Sequence, residues 1–264
     1  MIRLTHVPAK DSSQRKQPIV MIPGGPGLSS RTLAPLTALN ARHDLYMVDL
    51  PGVDGVPFLP GVTFNGLCEE IAQEIAAISG NVVLLGHSFG GFFATRMALQ
   101  NPSVSGLICL SVPFGKATLT RSSENYNRGM SPALQQAVAA WSAKPSRETF
   151  NQWFAACGPL YFAQAENGAR VLGTDPSGFE LYQALRKDAD TMEPLLSELA
   201  EWNGKSLFLA GEDDPLFMHP LLEEEAKRAK GIFHAVERAK HFLFHDQPET
   251  VVRLIEDFLS TEER

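Results

Sequence analysis

Short apolar runs alternate with segments of helical period along most of the chain. "PIVMI" (18–22), "DLYMVDL" (44–50), "NVVLLG" (81–86) and "VSGLICLSV" (104–112) predict strands. Their nearly unbroken apolar stretches predict burial on both faces, as in a parallel sheet. Between them, "LAPLTALNA" (33–41), "FNGLCEEIAQEIAAI" (64–78) and "FFATRMALQ" (92–100) carry helical spacing. In the second of these, Leu67, Ile71, Ile75 and Ile78 fall on one face. The rhythm resumes after residue 204: strand "KSLFLAG" (205–211), helix "PLLEEEAKRAK" (220–230), strand "GIFHAV" (231–236), helix "PETVVRLIEDFL" (248–259). This alternation predicts an α/β fold, a mostly parallel sheet flanked by helices.

Residues 115–203 break the pattern. They hold Trp141, Trp153 and Trp202, with Tyr126, Tyr161 and Tyr182, and no strand-like run. A helical insertion over the sheet is expected there, rather than a few helices extending the core. Residues 1–114 and 204–264 would then form one domain around the 115–203 insert.

Composition narrows the partners. An apolar fraction of 44% is enough for a substantial core. A net charge of -7 argues against nucleic acid, whose phosphates call for Lys and Arg. Cys68, Cys109 and Cys157 form no CxxC or Cys/His cluster. They are expected to be reduced, mostly buried thiols in a cytoplasmic protein. "MIRLTHVPAKDSSQRKQ" contains no long apolar stretch, so no signal peptide is expected. No run approaches a membrane span.

Two glycine-rich turns carry the candidate chemistry. In "IVMIPGGPGLSS" (19–30) a strand ends in bare backbone. Such a turn suits either a phosphate cradle or an oxyanion hole. In "VVLLGHSFGG" (82–91) a strand, a serine and a glycine pair give G-x-S-x-G at a strand-to-helix turn. Ser88 is therefore the candidate nucleophile. A serine hydroxyl needs a base to take its proton, and the base usually needs an orienting carboxylate. "LFLAGEDDPLF" (207–217) offers Asp213 and Asp214 after a strand, and "VERAKHFLFHDQPE" (236–249) offers His241 and His245. His87, beside the serine, is expected to pack beneath the turn. The phosphate reading lacks G-x-x-x-x-G-K-[ST], since no lysine follows the glycines.

In this order and spacing, "GGPG", "GHSFGG", "GEDDP" and "KHFLFHDQPE" resemble the α/β-hydrolase superfamily over essentially the whole core. The insertion occupies the position of that family's cap domain. "GGPGLSS" most resembles the HGGPG motif of the proline iminopeptidases. The resemblance implies that the acid is Asp214, three residues after the strand-ending glycine. It implies that the histidine is His241, seven residues before the proline opening the last helix, with His245 at the surface near that helix. It also implies an oxyanion hole from the N–H groups of Gly25 and Phe89.

Two departures qualify it. Pro23 stands where the motif has histidine, and "DLPG" (Asp49–Gly52) is closer to esterases and carbon–carbon bond hydrolases than to the iminopeptidases' D-Q-R-G. An aminopeptidase also needs a carboxylate for the substrate's amine, and the cap offers Glu124, Glu148, Glu166 and Glu180. Trp153, Phe154, Tyr161 and Phe162 would wall an apolar pocket or pack between cap helices. The expected function is a serine hydrolase working through an acyl-enzyme on a small amide or ester, foremost a proline-iminopeptidase-like aminopeptidase. A carboxylesterase or carbon–carbon bond hydrolase is the alternative, and a non-catalytic ligand-binding protein a further one. None of these steps calls for a metal or organic cofactor, and the expected partner is a small molecule or short peptide.

Overall fold

A computed structural model describes residues 1–260. Seven strands form one sheet: β1 (Arg3–Val7), β2 (Lys16–Ile22), β3 (His43–Asp49), β4 (Val82–His87), β5 (Val104–Leu110), β6 (Lys205–Gly211) and β7 (Ile232–Val236). Their order is β1-β3-β2-β4-β5-β6-β7. All pairings are parallel except that of β1 with β3. β1 is the strand the hydrophobic pattern does not announce. It is a largely exposed edge strand, so "RLTHV" carries too few apolar residues to stand out.

Alternate side chains of the inner strands enter two separate cores. Val20, Ile22, Val82, Leu84, Leu107 and Cys109 face one. Ile19, Met21, Val83, Leu85, Ile108 and Leu110 face the other. The first core is covered by α1 (Phe64–Ala76) and α2 (Phe89–Gln100), whose Ile71, Ile75, Phe92 and Phe93 are buried in it. The second takes Leu33, Leu36 and Leu39 from Ser30–Ala41, a run of 3-10 turns rather than an α-helix. Pro35 removes a donor from this run, and a leucine every third residue suits the 3-10 repeat.

Between β5 and β6 the chain is helical: α3 (Lys116–Arg128), α4 (Pro132–Ala143), α5 (Arg147–Ala156), α6 (Gly158–Tyr161), α7 (Phe179–Leu185) and α8 (Pro194–Ala200). After β6 come α9 (His219–Arg228), α10 (Leu243–Asp246) and α11 (Pro248–Ser260). The helical segment between β5 and β6 is fastened at its start. Gly115 gives α3 no side-chain cap, and the buried Glu225 of α9 accepts from the N–H groups of Phe114 and Gly115, both at 2.8 Å. At the other end, Leu195, Leu196 and Leu199 of α8 join the first core. Cys68, Cys109 and Cys157 are all free and buried, and burial pushes each thiol up to about 12.

The sheet order reverses at β2 and β4: β3 leaves to one side of β2, and β5 to the other side of β4. In open parallel sheets ligands bind at the carboxyl ends of strands beside such a point. The loops after β2 and β4 carry the two glycine-rich turns.

Candidate active site

Ser88 sits between β4 and α2 with φ 50° and ψ −125°, a backbone conformation that non-glycine residues rarely occupy. The glycines around it make room for the turn. A Cβ on Gly86 would lie 2.4 Å from the Cα of Gly91, and one on Gly90 would lie 2.3 Å from the carbonyl oxygen of Ile22. Both obstacles are backbone and cannot swing aside. Gly90→Ala is therefore expected to destabilise the fold by about 3 kcal/mol, read as a lower urea midpoint. The loop after β2 is pressed against the serine from the other side: a Cβ on Gly24 would stand 3.0 Å from that of Ser88. Gly25 and Gly27 follow at φ 117° and 100°, where a side chain would be strained.

Asp214 and His241 arrive from the ends of β6 and β7. The His241 Nδ1–H donates to Asp214 Oδ2 at 3.2 Å, with both residues buried. The second carboxylate oxygen, Oδ1, accepts from the backbone N–H groups of Leu216 (2.8 Å) and Phe217 (3.0 Å), so its orientation is fixed. With its proton on Nδ1, the imidazole keeps Nε2 free to act as a base. Asp213, next in the chain, is exposed, and His245 donates from Nε2 to the carbonyl of Thr32 at 2.8 Å. His245 is half-buried rather than at the surface, and burial lowers its pKa.

His87 is wholly buried among the rings of Phe242, Phe244 and His241. Its Nε2–H donates to the His241 carbonyl oxygen at 3.1 Å, which leaves Nδ1 as an acceptor without a partner among the described residues. Burial, with the nearby His241, holds its pKa well below the usual histidine range. It packs beneath the turn as a neutral ring.

Gly25, Ser88, Phe89 and His241 open onto one cavity of about 540 Å³, lined also by residues of the helical segment between β5 and β6. Trp153, Phe154, Tyr161 and Tyr182 form its outer wall. The Trp153 indole N–H donates to the Tyr126 hydroxyl at 2.8 Å. Burial pushes Tyr126 and Tyr182 up to about 12 and Tyr161 well above its usual value, so all three phenols stay neutral at ordinary pH. Phe162 is not part of the wall; it stacks on Phe242 with ring centroids 4.6 Å apart. Glu166 is exposed and away from the cavity. Neither Glu124, Glu148 nor Glu180 lines it. Among the described lining residues Asp190 is the one carboxylate, exposed at the rim with Arg186. Tyr126, Tyr182, Phe217, Arg186 and Asp190 are lining residues that no motif pointed to. Only the aromatic richness of 115–203 hinted at the first two.

The chain matches the Alpha/beta hydrolase family over residues 19–254 and belongs to that family. It is 25% identical to the proline iminopeptidase of Heyndrickxia coagulans, over 92% of this chain and 91% of that protein. It is 38% identical to the pimeloyl-acyl-carrier-protein methyl ester esterase of Xylella fastidiosa, over 36% of each. Among solved structures, an esterase from Exiguobacterium antarcticum superposes with a TM-score of 0.72 at 19% identity, covering 98% of this chain and 96% of that one. A proline iminopeptidase from Mycobacterium smegmatis gives 0.65 at 16% identity, covering 98% and 94%. At these identities the superpositions bear on the fold alone. No helix among the described residues is long and apolar enough to cross a membrane.

Proposed function

We propose that the protein is a serine hydrolase that cleaves carboxylic esters with an apolar acyl or alcohol group. Ser88 is the nucleophile, His241 the general base and acid, and Asp214 the group that orients His241. His241 Nε2 takes the Ser88 proton as Oγ attacks the carbonyl carbon. The developing oxyanion accepts from the N–H groups of Gly25 and Phe89, the latter an unpaired first-turn amide of α2. The alcohol leaves with the proton from His241, and water activated by the same ring releases the acid. The insert of residues 115–203 serves as the cap that closes the pocket over residues 1–114 and 204–264.

The observation that carries the ester assignment is the character of the wall: aromatic rings and neutral hydroxyls, with its charged side chains, Asp190 and Arg186, exposed at the rim. An aminopeptidase must hold an ammonium group beside the scissile bond. A buried, paired carboxylate is the ordinary means, and none of the four cap glutamates stands there. A second reading, a proline-iminopeptidase-type aminopeptidase, is favoured by near full-length similarity to such an enzyme, and it would assign the amine to Asp190. The two separate on a pair of substrates. Turnover of p-nitrophenyl butyrate, with the N-terminally free proline p-nitroanilide slower by about 10²-fold or more in kcat/KM, is the expected result. Faster anilide turnover, lost when the amine is blocked and weakened by Asp190→Asn, would replace the esterase with the aminopeptidase.

A further inference from the structure

The loop that carries Gly25 has little of its own to hold it. Pro23 and Pro26 have no N–H to donate. Within the loop the chain makes one backbone bond, from Leu28 N–H to the Gly24 carbonyl at 3.2 Å. Yet an oxyanion donor works only if it is fixed before charge develops, since donors that must reorganise stabilise the transition state less. The restraint comes from two sides: at Ser30 the N–H donates to Asp49 Oδ1 at the end of β3 (2.7 Å), and nearer Gly25 the loop is held by residues 175–178.

Asp175 meets the far end of the loop with both oxygens. The Ser29 N–H donates to Oδ2 at 3.0 Å and the Ser29 hydroxyl donates to Oδ1 in a short bond. Beside it, the Gly178 N–H donates to the Gly27 carbonyl at 2.7 Å, and a Cβ on Gly27 would lie 2.3 Å from the Gly178 carbonyl oxygen. The two segments touch backbone to backbone.

The segment that carries Asp175 is itself braced on two sides. The Asn151 amide of α5 donates to the Asp175 carbonyl at 2.6 Å and accepts from the Ser177 hydroxyl at 2.5 Å. Arg147 donates to the carbonyls of Ser177 (2.8 Å) and Gly52 (3.2 Å), and the Asp54 N–H donates to the Pro176 carbonyl at 2.8 Å. Loop 50–54 belongs to the sheet domain, so the brace closes a path from the sheet through the insert to the oxyanion loop.

Asp175 is 4% exposed and forms no ion pair among the described residues. A carboxylate buried without a cation in contact is costly. Burial pushes Asp175 up to about 6, opposed by the two Ser29 bonds. Such a group is hard to explain as mere packing, where an apolar side chain of the same size would serve better. Its two acceptor oxygens are used by one residue, and that residue ends the Gly25 loop.

We infer that Asp175 is a positioning residue for the oxyanion loop: it clamps Ser29 and so fixes the Gly25 N–H for catalysis. The inference rests on the serine-hydrolase reading for its effect on rate, but not for its effect on the loop. Two measurements keep these apart. The first is steady-state ester kinetics, with inhibition by a trifluoromethyl ketone, whose hemiketal oxygen needs the same donors. Asp175→Ala is expected to lower kcat about 10- to 100-fold with KM within threefold, and to weaken the ketone by the same factor. Asp175→Asn, whose amide can accept from the Ser29 N–H and donate to the hydroxyl, is expected to stay within about threefold of wild type.

The second measurement is backbone hydrogen exchange over residues 22–30, which needs no turnover. Faster exchange there in Asp175→Ala, with the β4–β5 strands unchanged, is expected. Should Asp175→Ala fail to fold, Ser29→Ala removes one of the two bonds and is expected to give smaller shifts of the same kind. Wild-type exchange in the loop of either variant overturns the inference. So does a loss of activity that Asp175→Asn shares in full, or one that tracks unfolding alone. If the wild type cleaves neither the ester nor the anilide, the hydrolase reading falls, while the exchange result still decides whether Asp175 holds the loop.

Discussion

Asp214→Asn is expected to lower kcat by about 10⁴-fold while leaving the fold in place. The size of the effect follows from how the carboxylate is held. Its Oδ1 accepts from two backbone N–H groups, those of Leu216 and Phe217. In the asparagine variant only the amide oxygen can take that place. The amide nitrogen is then turned toward His241 Nδ1, where the carboxylate oxygen Oδ2 had accepted a hydrogen bond. Facing a donor, the imidazole must expose Nδ1 as acceptor and carry its proton on Nε2. The ring is expected to keep its position and to lose the function as a base proposed for it. The check is kcat on p-nitrophenyl butyrate beside a circular dichroism melt. A loss of less than tenfold in a folded variant would mean that another group orients the base or that His241 is not the base.

The other large effect is at Ser88. Ser88→Ala is expected to lower ester kcat/KM by about 10³-fold or more, with any residual rate coming from binding and the oxyanion donors. Stability should be unchanged or slightly higher, because Ser88 lines the cavity and is not part of either apolar core, and functional positions are seldom optimal for stability. An active Ser88→Ala protein would point to water or another nucleophile and would remove the basis for an acyl-enzyme.

The chain shows its fold readily where burial is two-sided. "NVVLLG" and "KSLFLAG" are apolar on both faces because β4 and β6 lie between two cores, so their signal is strong. "RLTHV" is an edge strand with polar neighbours, and nothing in its pattern separates it from a loop. Residues 33–41 show the opposite limit: apolar spacing of three was visible, but only Pro35 hinted that the turns would be 3-10 rather than α.

The candidate site divides along the same line. Groups set by short motifs at strand ends were legible, because the backbone needs glycine there: Gly86 and Gly90 have no room for a Cβ. The helices between β5 and β6 carry no such constraint. Whether Phe162 faces substrate or stacks on Phe242 depends on how α6 lies against the sheet domain, which residue type and spacing do not encode. Asp175 was invisible for a similar reason. Its partner Ser29 is 146 positions away, and "TDPSG" reads as an ordinary turn.

The most direct test of Ser88 as the nucleophile is to trap the intermediate it should form. Wild type and His241→Ala are mixed with p-nitrophenyl butyrate, quenched in acid, digested and read by mass spectrometry. The expected result is a butyryl group on the peptide containing Ser88 in the wild type, absent from Ser88→Ala and much reduced in His241→Ala. A wild-type enzyme that turns over the ester with Ser88 unmodified, or an acyl group found on another residue and retained in Ser88→Ala, would contradict the account.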